Sequence, residues 1–286
     1  MAGDKSLISK LAEKILKFTK PDYMDSKEAV GEFLNQRLNQ KDKPPKSIFK
    51  SIKIDDAEVF SFGDEESDKL IIYIHGGAYI NDINMQHLIF CWYLARKLKI
   101  RVIAPVYPLA PKHSAMETYD LMLKLYETLS DKYSQITLMG DSAGGGFVLS
   151  FSQYLNSINL NKTDNIIVFS PWVDISMSNP PYESELDPIL GEIGLKEIGK
   201  SWAGNLKSDD YRVSPLFGDV TNHPKTLIFA GDSEIFYRDI VKYYNLLKEN
   251  DVDVKLNTGR GMFHIYPMFP IPEAKRAFGE IIRFLD

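Results

Sequence analysis

The decisive stretch is Gln135-Ile136-Thr137-Leu138-Met139, followed by Gly140-Asp141-Ser142-Ala143-Gly144 and then Gly145-Gly146-Phe147-Val148-Leu149-Ser150-Phe151-Ser152-Gln153-Tyr154-Leu155. The first five residues are apolar and β-branched, as in a buried strand. The last run can continue as a helix. A serine flanked by glycines two positions away on each side, set between strand and helix, is the pattern of a nucleophile elbow. The serine of such a turn takes a strained backbone, and the glycines let strand and helix pass closely. The helix then begins with free N–H groups directed at the serine oxygen and at any oxyanion beside it. A chain of this length shows the five-residue pattern by chance roughly one time in ten, so the decision rests on what surrounds it.

Working outward, strands and helices alternate. Leu70-Ile71-Ile72-Tyr73-Ile74 is a continuous apolar strand ending in His75-Gly76-Gly77-Ala78-Tyr79. Met85 to Leu98 reads as a helix, Arg101 to Val106 as a strand, and Met116 to Leu129 as a helix. Beyond the elbow come strands at Asn165–Ser170, Lys225–Ala230 and Asp253–Leu256, with helices at Ile240–Leu247 and Glu273–Leu285. Ser51 to Phe62 alternates as one further strand. This rhythm predicts an α/β protein with a mostly parallel central sheet and helices on both faces. Two helices precede it, Leu7–Phe18 and Ser26–Leu38, the second capped by Ser26. Lys41 to Lys46 reads as a linker. The interval Val173 to Val220, with Pro180-Pro181 and a helix from Leu190 to Trp202, interrupts the alternation as a lid or cap does.

Composition narrows the class. Hydrophobic content of 44% and charged content of 26% are those of a soluble globular chain, and 286 residues suffice for a substantial core. The net charge of −5 gives no reason to expect nucleic acid as a partner. The single cysteine, Cys91, excludes an internal disulfide framework and a cysteine-based metal site, and its apolar neighbours predict a buried structural thiol. No secretory signal and no apolar run long enough for a membrane span is present. The expectation is a cytoplasmic protein.

A serine hydroxyl needs a base, and the base needs a carboxylate to orient it. If Ser142 is a hydrolase nucleophile, acid and then base follow it in the chain. Of the five histidines (His75, His87, His113, His223 and His264), only the last two follow Ser142. His223 leaves no room for an acid before it, so His264, in the loop Gly259–Tyr266 before the closing helix, is the expected base. The acid belongs on Gly231-Asp232-Ser233-Glu234-Ile235-Phe236-Tyr237-Arg238-Asp239. Glu234 is favoured, because Asp232 comes immediately off the strand and Asp239 begins the next helix as its cap; Asp232 stays as the alternative. Backbone N–H groups of Gly77, Ala78 and Ala143 are the expected oxyanion donors.

Taken together, these motifs resemble the hormone-sensitive-lipase-like esterases of the α/β-hydrolase fold. His75-Gly76-Gly77-Ala78 resembles that family's His-Gly-Gly-Gly oxyanion segment, with alanine in the last place. Tyr107-Pro108-Leu109-Ala110-Pro111-Lys112-His113 resembles its Tyr-Arg-Leu-Ala-Pro-Glu-His segment, which makes His113 structural. Gly140–Gly145 is its elbow, and Ser170-Pro171-Trp172-Val173-Asp174 and Ser214-Pro215-Leu216-Phe217 flank the cap as in relatives. The family's Asp-Pro-Leu-Arg-Asp after the seventh strand is absent, and the segment holding Glu234 is similar to that of members with a glutamate acid.

The resemblance implies one α/β-hydrolase domain over residues 1–286, with a helical cap from about 1–48 and 175–220. It implies a serine carboxylesterase acting on short-chain acyl esters through an acyl-enzyme, with no metal or organic cofactor. A deacetylase or amidase would use the same triad, and a ligand-binding protein of this fold is marked by loss of the histidine that His264 retains. The partners expected are a small-molecule ester and, through the last strand and final helix, a second copy in a homodimer.

Overall fold

The computed structural model describes residues 5–40, 47–179 and 187–286; the linker predicted at 41–46 and Pro180-Pro181 lie outside them. At its centre is an eight-stranded sheet in the order β1-β2-β4-β3-β5-β6-β7-β8. The strands are β1 (Ser51–Ile54), β2 (Ala57–Phe62), β3 (Lys69–Ile74), β4 (Arg101–Pro105), β5 (Gln135–Asp141), β6 (Asn165–Phe169), β7 (Lys225–Gly231) and β8 (Val254–Gly259). From β4 through β8 all neighbours are parallel, while β2 pairs antiparallel with both β1 and β4.

The single strand expected over Ser51–Phe62 is instead a hairpin. Ile54 pairs with Ala57 across Asp55-Asp56, and Asp55 takes φ +50°. Aspartate tolerates the left-handed region better than most residues, and two such residues between alternating runs favour a tight reversal over continued extension.

Among the described residues there are eight α-helices: α1 (Leu7–Thr19), α2 (Lys27–Asn39), α3 (Met85–Leu98), α4 (Ala115–Ser130), α5 (Ser142–Ser157), α6 (Glu192–Ala203), α7 (Tyr237–Glu249) and α8 (Pro272–Leu285). Successive strand side chains point to opposite faces, which divides the core in two. Leu70, Ile72 and Ile74 of β3 join Tyr119, Met122, Phe147 and Phe151 of α4 and α5 on one face. Ile71 and Tyr73 join Leu88, Leu94, Phe169, Phe229 and Ile281 on the other, under α3 and α8. Burial on both faces is why these strands read as unbroken apolar runs.

Between β6 and β7 the chain leaves the sheet, and α6 packs against α2 and the short turn Asp22–Met24. A Cβ on Gly194 of α6 would come within 2.7 Å of the Met24 Cα, so the glycine permits this approach. The N-cap of α2 is as expected, Ser26 Oγ accepting from the Ala29 N–H at 3.1 Å. Asp239, expected to cap α7, instead lies inside its first turn. The helix starts at Tyr237, and the Asp239 carboxylate accepts from the Asn179 side-chain amide.

Candidate active site

Ser142 stands where β5 passes into α5, with φ +53°. A non-glycine residue in the left-handed region costs about 1–3 kcal/mol and persists only where its surroundings force it. Here they do. A Cβ on Gly140 would lie 2.7 Å from the Ile74 carbonyl oxygen and from the Gly144 backbone, and one on Gly144 would lie 2.1 Å from that same carbonyl oxygen. Without side chains at those two positions, β3, β5 and α5 close around the serine, and the turn has one conformation left.

The loop after β8 brings His264 over this turn. His264 Nε2 is 2.8 Å from Ser142 Oγ, and His264 Nδ1 is 2.9 Å from Glu234 Oε2. All three side chains are buried. Burial alone would lower the imidazole, but the hydrogen bond and charge of Glu234, with Asp187 and Asp141 further off, outweigh it and hold His264 above the ordinary histidine value. Burial raises the Glu234 carboxyl, while His264 and the Ser170 hydroxyl pull it back. The histidine is thus poised to take a proton and keep it beside a carboxylate.

The other acids of this loop go elsewhere. Asp232 Oδ1 accepts from the Gly261 N–H at 2.6 Å, tying the β7 loop to the His264 loop from below. Asp239 faces Asn179. The remaining histidines are also engaged away from Ser142. His223 is held near a pKa of about 4 by burial and bonds Tyr243 through Nε2 at 3.1 Å. His113 lies exposed beside Glu117. His75 is fully buried and held near a pKa of about 3, chiefly by burial. Its Nδ1–H donates to the Gly76 carbonyl at 2.7 Å, and its ring stacks on Tyr107.

Beyond His75 the chain passes through three consecutive left-handed residues: Gly77 (φ +120°), Ala78 (φ +53°) and Tyr79 (φ +61°). Gly77 is in a region that side chains rarely enter. This bend points the Gly77 carbonyl away into a turn, where it accepts from Ile80 and Asn81. Among the described residues, no acceptor takes the N–H of Gly77 or of Ala78. The N–H of Ala143, in the first turn of α5, has no intrahelical partner by geometry.

Two carboxylates that sequence reasoning passed over brace the site. Asp141, beside the serine, accepts from the Tyr73 hydroxyl at 2.5 Å and from the Gly76 N–H at 2.9 Å. His87 Nε2 lies 3.6 Å from its other oxygen, while His87 Nδ1 accepts the Asn84 N–H at the start of α3. This carboxylate therefore fastens the His75–Tyr79 loop to the elbow. Burial would raise Asp141, but the His87 charge and hydrogen bond, then Tyr73 and Gly76, outweigh it and hold the group below its ordinary value. Asp187 makes the second brace. Its oxygens accept from Ile189 and Leu190 on its own segment and from Ile235 beside Glu234, each at 2.9 Å. The signal for Asp141 was a charge at the end of a buried apolar strand, a position carboxylates occupy only when paired. Nothing local marks Asp187.

A chain of buried aromatic rings packs behind His264. Tyr79 stacks on Trp202 of α6 at 4.1 Å, Trp172 stacks on Phe236 at 5.6 Å, and Phe236 meets His264 edge-on at 5.3 Å.

A parallel sheet with a left-handed serine at a strand-to-helix turn, and a histidine and carboxylate on the two following loops, defines the α/β-hydrolase class. The family model for the alpha/beta hydrolase fold matches residues 71–268, and the chain belongs to that family. It is similar to an esterase of Acinetobacter venetianus, 30% identical over 224 residues that cover 76% of this chain and 74% of the relative. An acetyl-hydrolase of Streptomyces hygroscopicus is 22% identical over 219 residues, covering 74% and 73% of the two chains. Among solved structures, a bacterial esterase of the hormone-sensitive lipase family aligns with a TM-score of 0.81 at 23% identity, over 99% of this chain and 98% of that one. The chain is an esterase-like member of this family and a carboxylic-ester hydrolase.

Proposed function

We propose that the chain hydrolyses short-chain acyl esters through a triad of Ser142, His264 and Glu234. The observation that carries this reading is the buried hydrogen-bonded chain Ser142 Oγ–His264 Nε2 and His264 Nδ1–Glu234 Oε2. Ser142 attacks the ester carbonyl as His264 takes its proton. Glu234 holds the ring by Nδ1 and stabilises the imidazolium that forms. The N–H groups of Gly77, Ala78 and Ala143 receive the oxyanion. His264 then protonates the leaving alcohol and later activates water, which releases the acid and restores the serine. The mechanism draws on no metal or organic cofactor.

The preference for short chains is supported by the alanine at position 78, whose methyl group occupies space that a third glycine would leave open. Residues 1–48 and 175–220 are read as the cap of a single domain over 1–286; the packing of α2 on α6 and of Tyr79 on α6 supports this for those segments, whereas α1 is tied to α8 through Glu273. A homodimer through β8 and α8 is expected; a monomer mass in light scattering at working concentrations speaks against it.

The test is hydrolysis of p-nitrophenyl esters from acetate to decanoate by wild type, Ser142→Ala, Glu234→Ala and Asp232→Ala. Turnover of the short esters is expected in wild type and Asp232→Ala, and loss in the other two. A dead Asp232→Ala beside an active Glu234→Ala would reassign the acid, and no turnover by folded wild type would overturn the substrate class.

A further inference from the structure

Helix α1 carries an unusual surface. Its inner side is tied down: Ser9 Oγ donates to Glu273 Oε2 at 2.5 Å, the Ser6 N–H donates to Glu273 Oε1 at 2.8 Å, and Ala12 and Leu16 pack against the core under α3 and α8. A neighbouring side, about 120° round the helix, presents Leu7, Ile8, Leu11, Ile15 and Phe18, each between 55% and 82% exposed. At helical spacing these five residues fall in one stripe about 100° wide. Exposed apolar side chains on a monomer are ordinarily scattered singly, and a continuous stripe marks an interaction surface.

The charges beside the stripe say what covers it. Lys10, Lys14 and Lys17 run along one border at i, i+4, i+7 spacing, all exposed. Residues 5–20 hold five lysines and one acidic residue, Glu13, in a chain with more acidic than basic residues overall. Glu13 is itself paired with Lys5 and Lys17. An antiparallel second copy of α1 would set this lysine row against itself, which is unfavourable. An anionic surface neutralises it. Thirteen residues rise only about 20 Å, short of the ~30 Å hydrocarbon layer, and no helix among the described residues is long and apolar enough to span it.

We propose that α1 is a docking helix for an anionic phospholipid surface, lying in the interface with its apolar stripe among the acyl chains and its lysine row at the headgroup phosphates. The inference goes beyond the esterase reading and does not depend on Ser142. It does give the site a geography. Lys5, just before α1, sits over the Phe263 ring at 5.6 Å, so docking carries the His264 loop to the surface from which apolar esters partition.

The experiment is cosedimentation of the full chain with vesicles of equal parts phosphatidylglycerol and phosphatidylcholine, against pure phosphatidylcholine. Wild type and Ser142→Ala are expected to bind the anionic vesicles equally, at least about tenfold more tightly than neutral ones, and more weakly as salt rises. The double variant Leu11→Ser/Phe18→Ser is expected to lose about 100-fold in affinity. The triple variant Lys10→Glu/Lys14→Glu/Lys17→Glu is expected to lose the preference for phosphatidylglycerol. These side chains are exposed, so the fold tolerates their replacement, and circular dichroism checks it. No binding by wild type, or binding that neither variant changes, overturns the proposal. So does a wild-type dimer in light scattering that Leu11→Ser/Phe18→Ser converts to monomer without any vesicle binding, which would make a second copy the occupant. Vesicle binding by a chain inactive on every ester would leave this proposal standing and remove the catalytic one.

Discussion

Glu234 and His264 form a coupled pair whose sense can be tested by pH. With the carboxylate in place, His264 titrates above the ordinary ~6.5 of histidine. It must be neutral to accept the Ser142 proton, so the acid limb of kcat/KM is expected above that value. Glu234→Gln removes the charge and leaves burial, which acts downward. The limb should then move below 6.5 while kcat falls about 100- to 10,000-fold. A pH–rate profile of the two proteins checks both shifts. Ala78 offers a second residue-scale test. It sits at φ +53°, in the left-handed region. Ala78→Gly should relieve strain of about 1 kcal/mol, raising Tm by about 2 °C. The same change should move the ratio of octanoate to acetate hydrolysis upward by about tenfold. An unchanged ratio would mean that the methyl group does not bound the acyl side.

At the scale of elements, the junction of β3, β5 and α5 is held by backbone approach and by one carboxylate. Gly144→Ala would drive a methyl group into the Ile74 carbonyl; loss of about 3 kcal/mol or more is expected in urea unfolding. Asp141→Asn leaves the Tyr73 hydroxyl and Gly76 N–H facing an uncharged amide, and a loss of about 1–3 kcal/mol is expected at neutral pH. The sign of its pH dependence follows from the depressed native value. The Asp141 contribution is fully present above the ordinary aspartate value near ~3.9. It is lost as pH falls through the lower native value, so the variant's stability curve should be flatter on its acid side. These elements were legible in very different degrees. Parallel strands buried on both faces announce themselves as apolar runs, and α3 ends where its periodicity ends. The β1–β2 hairpin was hidden because alternation survives a two-residue turn. The first turn of α7 was hidden because Asp239 offers a conventional cap, whereas the observed cap position, Phe236, makes no side-chain cap hydrogen bond.

For the whole molecule, the chemistry-bearing residues stand in chain order, so their gathering at one sheet edge could be anticipated from topology. What holds the gathering could not. Asp187 accepts from Ile235 across 48 positions, and the ring contacts linking Tyr79, α6 and His264 join segments that share no sequence pattern. Only packing reveals such partners.

The hydrogen bond from Ser142 to His264 joins residues 122 positions apart, and β3 must wait for β5 before the elbow has its neighbour. Contacts of such long range close late, because loop entropy opposes them until the intervening chain is ordered. Esterase activity is therefore a clock on the final stage of self-assembly. In refolding from urea, secondary structure should return first and turnover only afterwards, and truncation before Lys225 should abolish activity however much of the sheet survives.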